Sequence, residues 1–469
     1  MAFSYLFKHL KYVIVVLSVF CTLTMEAQTD EDAFFIRSVY DQALSHGQAY
    51  PWLYHLTTDI GGRLAGSPQA AAAVEYTRQM LDTMGLDTVY LQACEVPRWV
   101  RGNPEVVRVA QSAMGSFDLK ATALGNSVGT GPDGIAAEIV EVKSFDELDA
   151  LGARGSVKGK IVFFNREMDP NQINTFAAYG GAVDQRVYGA SKAAKHGALA
   201  VLVRSMTNRR DDIPHTGSTV YEDGVKQIPA VAISTNDSDK LSRLLKMQAV
   251  RVYIQTNCAM LTPVTSYNVI GEIRGSEYPD ELILVGGHLD SWDTGQGAHD
   301  DGSGCVQSMD VLFLLKSLGY KPKRTIRCVL FMNEENGLAG GKAYWAASNA
   351  ASEYHMAAIE SDRGGFTPQG FSADGHADVL QAKYRQLTTW LPLLEPYGLH
   401  FSTGGSGADI SGLKDQKGLL LGFVPDSQRY FDFHHTHTDR IEAVNRRELQ
   451  LGSAAMASLV YLLDKYGLE

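Results

Sequence analysis

The chain has 469 residues, of which 45% are hydrophobic and 20% are charged. This length exceeds what one hydrophobic core usually supports, so we expect at least two folded units, and the composition excludes a disordered or fibrous protein. The formal net charge is −11 and there is no long basic run, so no nucleic-acid partner is expected, because non-specific nucleic-acid binding depends on clustered positive charge.

The N-terminus predicts export. Lys8 and Lys11 precede an apolar run from Tyr12 to Met25, and an acidic stretch follows. This order is typical of a signal peptide, so we predict a cleaved segment over residues 1–27 and a secreted or periplasmic protein. A membrane anchor is the alternative, but the run is shorter than the roughly 20 apolar residues that span a bilayer. We therefore expect no stable membrane anchor.

Cleavage would leave four cysteines for the mature chain: Cys94, Cys258, Cys305 and Cys328. They either form disulfides in an oxidising compartment, in a pairing that the sequence cannot rank, or remain as buried thiols. No Cys-x-x-Cys motif or Cys/His cluster is present, so these residues are poor candidates for metal ligands.

The first part of the mature chain predicts helices. Asp32 to about Leu56 has the apolar spacing of an amphipathic helix, the glycine-rich residues 61–68 predict a turn, and a second helix is predicted from Ala70 to about Met84. We assign residues 28–114 to the N-terminal part of a catalytic domain.

The middle of the chain has a different pattern, with short β-rich runs such as Ile135–Val142 and Val250–Gln255 separated by turns and by helical stretches. This pattern predicts an inserted α/β domain with its own small core over residues 115–261.

Strand and helix patterns then alternate over residues 262–469, with strands predicted at Val269–Ile273, Leu282–Gly286 and Thr325–Met332 and a helix at Gly304–Leu318. Such alternation predicts an α/β catalytic domain with a mostly parallel mixed sheet flanked by helices. Binding sites in open α/β sheets lie at the carboxyl ends of the strands, so we searched those positions for polar residues.

His288 and Asp290 follow the second of these strands, Leu282–Gly286. Alternation along an extended chain directs both side chains to the same side, where the imidazole can bind a metal and the carboxylate can accept its second ring N–H. His-x-Asp alone is a weak signal, and it is more typical of a surface loop than of a metal site.

Two adjacent carboxylates, Asp300 and Asp301, precede the helix that starts at Gly304. Capping of the helix by Asp301 or Ser303 explains one carboxylate, but it does not explain a repelling pair. A nearby cation would explain both.

Glu334 and Glu335 follow the next apolar strand, where a solvated turn is the alternative interpretation. Hydrolysis by a metal ion needs one acid that binds the metal and a second that takes a proton from water. Asp362 follows a further strand-like segment and adds another oxygen ligand.

Near the C-terminus, His434, His435 and His437 lie within four positions. Two imidazoles with three carboxylates form a nitrogen and oxygen set suited to catalytic zinc. Five ligands are too many for one catalytic zinc ion, so a bridging Asp300 would give two ions three protein contacts each and leave room for a shared water.

These segments resemble the dizinc aminopeptidase and glutamate carboxypeptidase family, in particular its carboxypeptidase Q-like members. The most specific stretch runs from Gly286 to Gly302. Three further motifs follow in the family's order, namely Glu334-Glu335, Glu360-Ser361-Asp362 and His434-His435-Thr436-His437. The resemblance spans nearly the whole mature chain. It implies the zinc exopeptidase fold, two zinc ions per chain, and hydrolysis of unblocked dipeptides or short peptides.

By position, the resemblance implies that one zinc ion is bound by His288, Asp300 and Asp362, and the other by Asp300, Glu335 and His435. His435 is preferred to its neighbours because the family's ligand lies four residues before an acid, here Asp439.

The resemblance also implies Glu334 as the general base, and Asp290 is expected to orient His288. It further implies a cis peptide bond between Asp300 and Asp301, a protease-associated fold for the inserted domain, and a homodimer.

A loop with Asp409 resembles a family segment near the active site, so Asp409 is a tentative substrate-binding residue. Arg363 and Arg440 depart from the family pattern and leave the substrate preference open, since cations near the metals attract a peptide carboxylate. Two alternatives remain, namely a non-catalytic binding protein on the same scaffold and a single-zinc glutaminyl cyclase.

Overall fold

The computed structural model describes residues 30–468, so the predicted signal peptide over residues 1–27 lies outside the described residues. In chain order the strands are β1 (Thr88–Val100), β2 (Val106–Gln111), β3 (Phe117–Asp118), β4 (Ala121–Ala123), β5 (Ile135–Val142), β6 (Ile161–Phe164), β7 (Ala200–Arg204), β8 (Ala230–Ile233), β9 (Arg251–Gln255), β10 (Ala259–Ile273), β11 (Tyr278–His288), β12 (Arg324–Phe331), β13 (Tyr354–Glu360), β14 (Pro368–Gly375), β15 (His400–Thr403) and β16 (Leu419–Pro425).

The α-helices are α1 (residues 30–46), α2 (Ala49–Tyr54), α3 (Pro68–Thr83), α4 (Phe145–Ala153), α5 (Thr175–Gly180), α6 (Asp184–Lys195), α7 (Thr235–Leu245), α8 (Ser303–Ser317), α9 (Ala339–Ala350), α10 (Ala377–Thr388), α11 (Leu391–Leu394), α12 (Tyr430–Phe433) and α13 (Arg446–Tyr466). None of the helices in residues 30–468 combines the length and the apolar character needed to cross a bilayer.

The first sheet has the strand order β1-β10-β12-β11-β13-β16-β14-β15. Its centre is parallel, from β12 through β11 and β13 to β16, while antiparallel pairs join β1, β10 and β12 on one side and β14 to β16 on the other. The central strands are buried along almost their whole length, as near-continuous apolar runs predict for strands covered by helices on both faces.

The second sheet has the order β3-β2-β9-β5-β6-β7-β8-β4 and is parallel from β5 to β8. One face of it has a core of its own that includes Ile161, Leu202 and Val252, while the other face packs together with Phe366, Tyr430, Phe431 and Phe433 of the C-terminal region. Along the chain, the second sheet begins with β2, ahead of the predicted domain start at residue 115, and it ends with β9. Strand β10 belongs to the first sheet. The chain crosses between the sheets where the long β1–β10 ladder ends, at the pair Val100 and Ala259.

The predicted single helix from Asp32 to Leu56 is wrong, because the structure has two helices, α1 and α2, with Gly47 and Gln48 between them. The backbone N–H of Gln48 donates to Asp310 Oδ1 at 2.9 Å, instead of continuing the helical ladder. The break falls at Gly47, with Pro51 in the first turn of α2, so local helix-end and helix-start signals coincide there with a long-range contact to Asp310.

Three central strands place the predicted site residues at one edge of the first sheet. His288 is the last residue of β11, residues 332–335 follow β12, and Asp362 follows β13. Parallel strands have their carboxyl ends at the same edge, so these side chains converge there. In the described residues, the four cysteines that follow the predicted signal peptide are buried and form no disulfide.

Candidate metal centre

Asp300 lies between two imidazoles. Its Oδ1 is 3.2 Å from His288 Nε2, and its Oδ2 is 3.2 Å from His435 Nε2. All three side chains are buried. One carboxylate therefore connects a histidine at the end of β11 with a histidine from the C-terminal loop, which are far apart in the sequence.

Two further carboxylates complete this arrangement. Asp362 Oδ1 is 3.4 Å from His288 Nε2, and Glu335 Oε2 is 3.2 Å from His435 Nε2. The structure thus brings together the five side chains that the sequence suggested as metal ligands, in two groups that share Asp300.

Three carboxylate oxygens of this cluster lack a hydrogen-bond donor. Within residues 30–468, no hydrogen bond reaches Asp300 Oδ2, Glu335 Oε1 or Asp362 Oδ1, although all three atoms are buried. Burying an unpaired carboxylate oxygen costs several kcal/mol unless a donor or a cation compensates it (~2–7 kcal/mol for a neutral polar group, more for a charge). Because the same cluster contains two imidazole nitrogens, the donor set fits zinc.

The charges of the cluster perturb its pKa values. Burial lowers the pKa of His288, but the Asp362 and Asp300 carboxylates outweigh it and raise that pKa well above its usual value. Burial opposes the charged form of His435 too, yet Glu335 and Asp300 raise its pKa to about 9. Both imidazoles therefore lie in a strongly negative environment, which favours a cation.

The structure also distinguishes the three neighbouring histidines. His437 is exposed, and His434 stacks on His435 with ring centroids 3.5 Å apart. His434 Nε2 lies 3.9 Å from Asp300 Oδ2, so a group of Asp300, His434 and His435 is a second possible set of metal ligands. Only His435 has its Nε2 within 3.2 Å of both Asp300 and Glu335, which favours it as the ligand.

Asp290 contacts a different partner from the one expected. The His288 Nδ1 atom lies 3.0 Å from the backbone carbonyl oxygen of Asp290 and 3.8 Å from its Oδ1. The carboxylate instead accepts backbone N–H groups from Asn333 at 2.7 Å, Glu334 at 3.0 Å and Glu335 at 3.4 Å. The backbone of Asp290 therefore orients the imidazole, while its side chain holds the turn that carries both glutamates.

Two more aspartates support the cluster through backbone contacts. Asp301, joined to Asp300 by a cis peptide bond, accepts the N–H of Gly304 at the start of α8 and the N–H of His288, both at 3.0 Å. Asp439 accepts the N–H of His299 at 2.7 Å and that of Asp300 at 3.1 Å. Asp301 thus caps the helix and also connects it to β11, and Asp439 fixes the backbone of Asp300.

Sequence reasoning missed Arg63, although the glycine-rich run that contains it was noted as a turn. Its guanidinium is fully buried and donates to the carbonyl oxygens of Leu289 at 2.5 Å, Gln296 at 2.7 Å and Gly297 at 3.0 Å. These contacts span the loop between His288 and Asp300. An arginine inside a glycine-rich run was the only sequence signal.

Glu334 is partly buried and lines a cavity of about 230 Å³ next to the cluster. Burial, together with the Asp362 and Glu335 carboxylates, raises the pKa of Glu334 to about 8. The opposite wall belongs to the second unit and consists of Phe176, Tyr179, Arg186 and Ser218.

The remaining sequence candidates do not line this cavity, although Arg363 lies over the ring of Phe176, 5.4 Å from its centroid. Asp409 is fully buried and does not line it, and burial beside Glu360 raises the pKa of Asp409 well above its usual value. Arg363 donates to the carbonyl oxygen of Gly405 at 2.7 Å. Arg440 is exposed and pairs with Glu442 at 3.6 Å.

Comparison with known proteins gives consistent results. Residues 268–460 match the model of peptidase family M28. The chain is 35% identical to carboxypeptidase Q of Bos taurus over 430 residues, which cover 91% of this chain and 87% of the relative, and the human protein of that name gives the same identity and coverage.

The crystal structure of a peptidase M28 precursor from Shewanella amazonensis superimposes with a TM-score of 0.88 at 33% identity, covering 94% of this chain and 99% of that one. A zinc aminopeptidase from Bacillus subtilis shares the fold, with a TM-score of 0.64 at 21% identity, over 88% of this chain and 94% of that one. The predicted fold class is thereby confirmed. The chain therefore belongs to peptidase family M28 and is a zinc metallo-exopeptidase, as the sequence resemblance implied.

Proposed function

We propose that the chain hydrolyses short unblocked peptides at a centre for two zinc ions. In this proposal one ion is held by His288, Asp300 and Asp362, and the other by Asp300, Glu335 and His435. The observation that carries it is the pair of 3.2 Å approaches from the two oxygens of Asp300 to His288 and His435. A carboxylate with one imidazole on each oxygen is suited to bridge two cations.

When bound, zinc polarises a peptide carbonyl and lowers the pKa of water. Glu334 would serve as the general base, since its side chain lines the cavity beside the proposed ligands without being one of them, so that it would take a proton from water and return it to the leaving amine. Asp290 is a positioning residue in this reaction, because its carboxylate holds the Glu334 backbone N–H at 3.0 Å.

The size of the cavity and the side chains around it support small substrates. Phe176 and Tyr179 come from the second unit and limit the space beside Glu334, so an extended polypeptide would collide with that wall. We assign the second unit to the protease-associated type. The sequence predicted it over residues 115–261, between catalytic segments 28–114 and 262–469, and the strands of its sheet run from β2 to β9. Trimming of short peptides follows from this arrangement.

Export and self-association are separate parts of the proposal. We infer that residues 1–27 direct the chain out of the cytoplasm, and N-terminal sequencing of the exported protein would locate the cleavage. We also infer a homodimer, which sedimentation equilibrium tests. An exported protein that still begins at Met1 would contradict the predicted cleavage. A monomer at micromolar concentration would contradict the homodimer.

Metal content tests the central proposal. Purified chain, stripped with a chelator and titrated with zinc in a calorimeter, should bind two ions, and Asp300→Asn should weaken both binding events. Binding of one ion would favour the single-zinc cyclase alternative. Two bound ions without hydrolysis of any free dipeptide would favour a non-catalytic binding protein.

A further inference from the structure

Two segments of the second unit, residues 123–126 and 216–219, lie side by side and contact the loops of the metal centre. The Gly125 N–H donates to the carbonyl oxygen of Gly217 at 3.0 Å, and the Thr219 N–H donates to the carbonyl oxygen of Gly125 at 2.9 Å. These hydrogen bonds join the two segments into one structure, which we call the clip.

The clip contacts the proposed ligand His435 through Thr216. The Thr216 N–H donates to the carbonyl oxygen of His435 at 3.0 Å, and the Thr216 carbonyl oxygen lies 3.4 Å from His435 Nδ1. When Nε2 binds a metal, the imidazole proton is on Nδ1, and the group that accepts this proton orients the ring. For His288 that group is the carbonyl oxygen of Asp290, in the catalytic domain. For His435 the corresponding group belongs to the second unit.

The clip also holds the turn that carries Glu334 and Glu335. Asn126 Nδ2 donates to the backbone carbonyl oxygen of Asn336 at 3.2 Å, and Asn336 Nδ2 donates to Asn126 Oδ1 at 3.1 Å. From the other side, the Asp290 carboxylate accepts the backbone N–H groups of the same turn. The turn is therefore fixed by both units of the protein.

The backbone of the clip is fitted to this position. Trp292, in the loop after β11, is 3% exposed, and its ring centroid lies 5.7 Å from that of His435. A Cβ at Gly125 would collide with the Trp292 ring, so the close approach of the clip requires glycine there. Asn126, the next residue, has φ +64°, a left-handed conformation that glycine and asparagine adopt most readily.

We propose that Asn126 is a positioning residue for the zinc ion that is assigned to Asp300, Glu335 and His435. The clip contacts the turn that carries Glu335 and the backbone of His435, so it supports two of the three ligands. Asn126 does not line the cavity beside Glu334, so it acts on the metal centre and not through contact with substrate. This inference rests on the proposed function, and it gives the second unit a task in metal binding besides the limit on substrate size.

A purely structural role for Asn126 is the alternative. In that case the amide pair only stabilises the contact between the two units, and its loss affects the whole fold and both zinc ions alike. Separate affinities for the two ions distinguish the two roles.

The test compares zinc binding by the wild type, Asn126→Gly, Asn126→Asp and the control Asn208→Gly, at an exposed position of the same unit. Glycine keeps the left-handed backbone and removes both amide hydrogen bonds, whereas aspartate keeps the acceptor and removes the donor. Loss of a group that orients metal ligands typically lowers metal affinity 10- to 100-fold. Calorimetric titration of the stripped chain with zinc should therefore show one of two binding events weakened roughly 10- to 100-fold in Asn126→Gly, less in Asn126→Asp and not in Asn208→Gly.

A double-mutant cycle and steady-state kinetics give two further readouts. Asn336→Ala should weaken the same binding event, and the double variant should be no weaker than the more affected single variant, because both changes remove the same amide pair. With zinc in excess, kcat of Asn126→Gly should fall while KM for a free dipeptide stays unchanged. Thermal midpoints verify that each variant is folded, and Asn126→Asp provides the test if Asn126→Gly is not.

Equal zinc affinities in the wild type and Asn126→Gly would overturn the inference and leave the exopeptidase assignment intact. Equal weakening of both binding events, together with a lower thermal midpoint, would also overturn it in favour of the structural role. A wild-type chain that binds fewer than two zinc ions would instead refute the proposed function, and the inference with it.

Discussion

Asp290 holds Glu334 through the backbone, since its Oδ1 accepts the Glu334 N–H at 3.0 Å. The same carboxylate accepts the neighbouring N–H groups of Asn333 and Glu335, so one side chain at the end of β11 fixes the turn after β12. The position of the proposed general base thus depends on a residue that does not face the substrate cavity.

Asp290→Asn should therefore impair both stability and catalysis. The amide places an NH₂ group where an oxygen accepted N–H donors, so the free energy of unfolding should fall by about 1–3 kcal/mol. Displacement of Glu334 should lower kcat by about 10²-fold. Chemical denaturation and steady-state kinetics measure the two effects. Asp293→Asn is the control, because that carboxylate pairs with Arg101 instead. Unchanged kcat would contradict this role for Asp290.

Glu334→Gln should remove the proton acceptor and keep the metal. Glutamine cannot take a proton from water, so kcat should fall roughly 10²- to 10⁴-fold. Zinc content should stay at the wild-type level, because Glu334 is not among the proposed ligands. Glu442→Gln, at an exposed position, serves as a control. A variant that retains near-normal turnover would exclude Glu334 from the mechanism.

Removal of zinc should destabilise the fold. Without a metal ion, only His288 and His435 of the described residues balance the three carboxylates, and one oxygen each of Asp300, Glu335 and Asp362 has no hydrogen-bond donor. Zinc at about 100 times its Kd should raise the free energy of unfolding by about 3 kcal/mol, and scanning calorimetry with and without a chelator detects the shift. The shift should be reversed by added zinc and reduced in Asp300→Asn. A midpoint that is insensitive to the chelator would argue against a metal at this cluster.

Asp310 should make stability depend on pH outside the metal centre. Burial raises its pKa from 3.8 to about 6, so the folded state favours the neutral acid. The contribution of Asp310 to stability is therefore complete below pH 3.8, decreases as the pH rises to about 6, and is constant above that. The total loss amounts to about 3 kcal/mol at most.

Asp310→Asn removes this titration while it keeps an acceptor for the Gln48 N–H. The free energy of unfolding of the variant minus that of the wild type should be larger at pH 7 than at pH 4, by up to about 3 kcal/mol. Urea denaturation at the two pH values measures the difference. Asp378→Asn, at an exposed ion pair, is the control. A stability difference that is equal at both pH values would refute the prediction.

Sequence patterns determined which elements form and which residues are available for chemistry. Apolar runs predicted strands that end shortly before His288, Glu334 and Asp362. Binding sites in open α/β sheets lie at the carboxyl ends of strands, so these residues were expected at the site. The strand Ile135–Val142 has the predicted bounds. Local patterns suffice there, because alternation, buried runs and strand ends are properties of short segments.

Only the tertiary structure decided how those residues are used. The approach of His435 to Asp300, the N–H partners of the Asp290 carboxylate and the position of Arg186 beside His435 each join segments that are distant in the sequence. The contact of the Gln48 N–H with Asp310, at the break between α1 and α2, has the same origin. Such contacts arise when packed elements bring polar groups together, and the hydrogen-bond demand of each buried group then selects its partner.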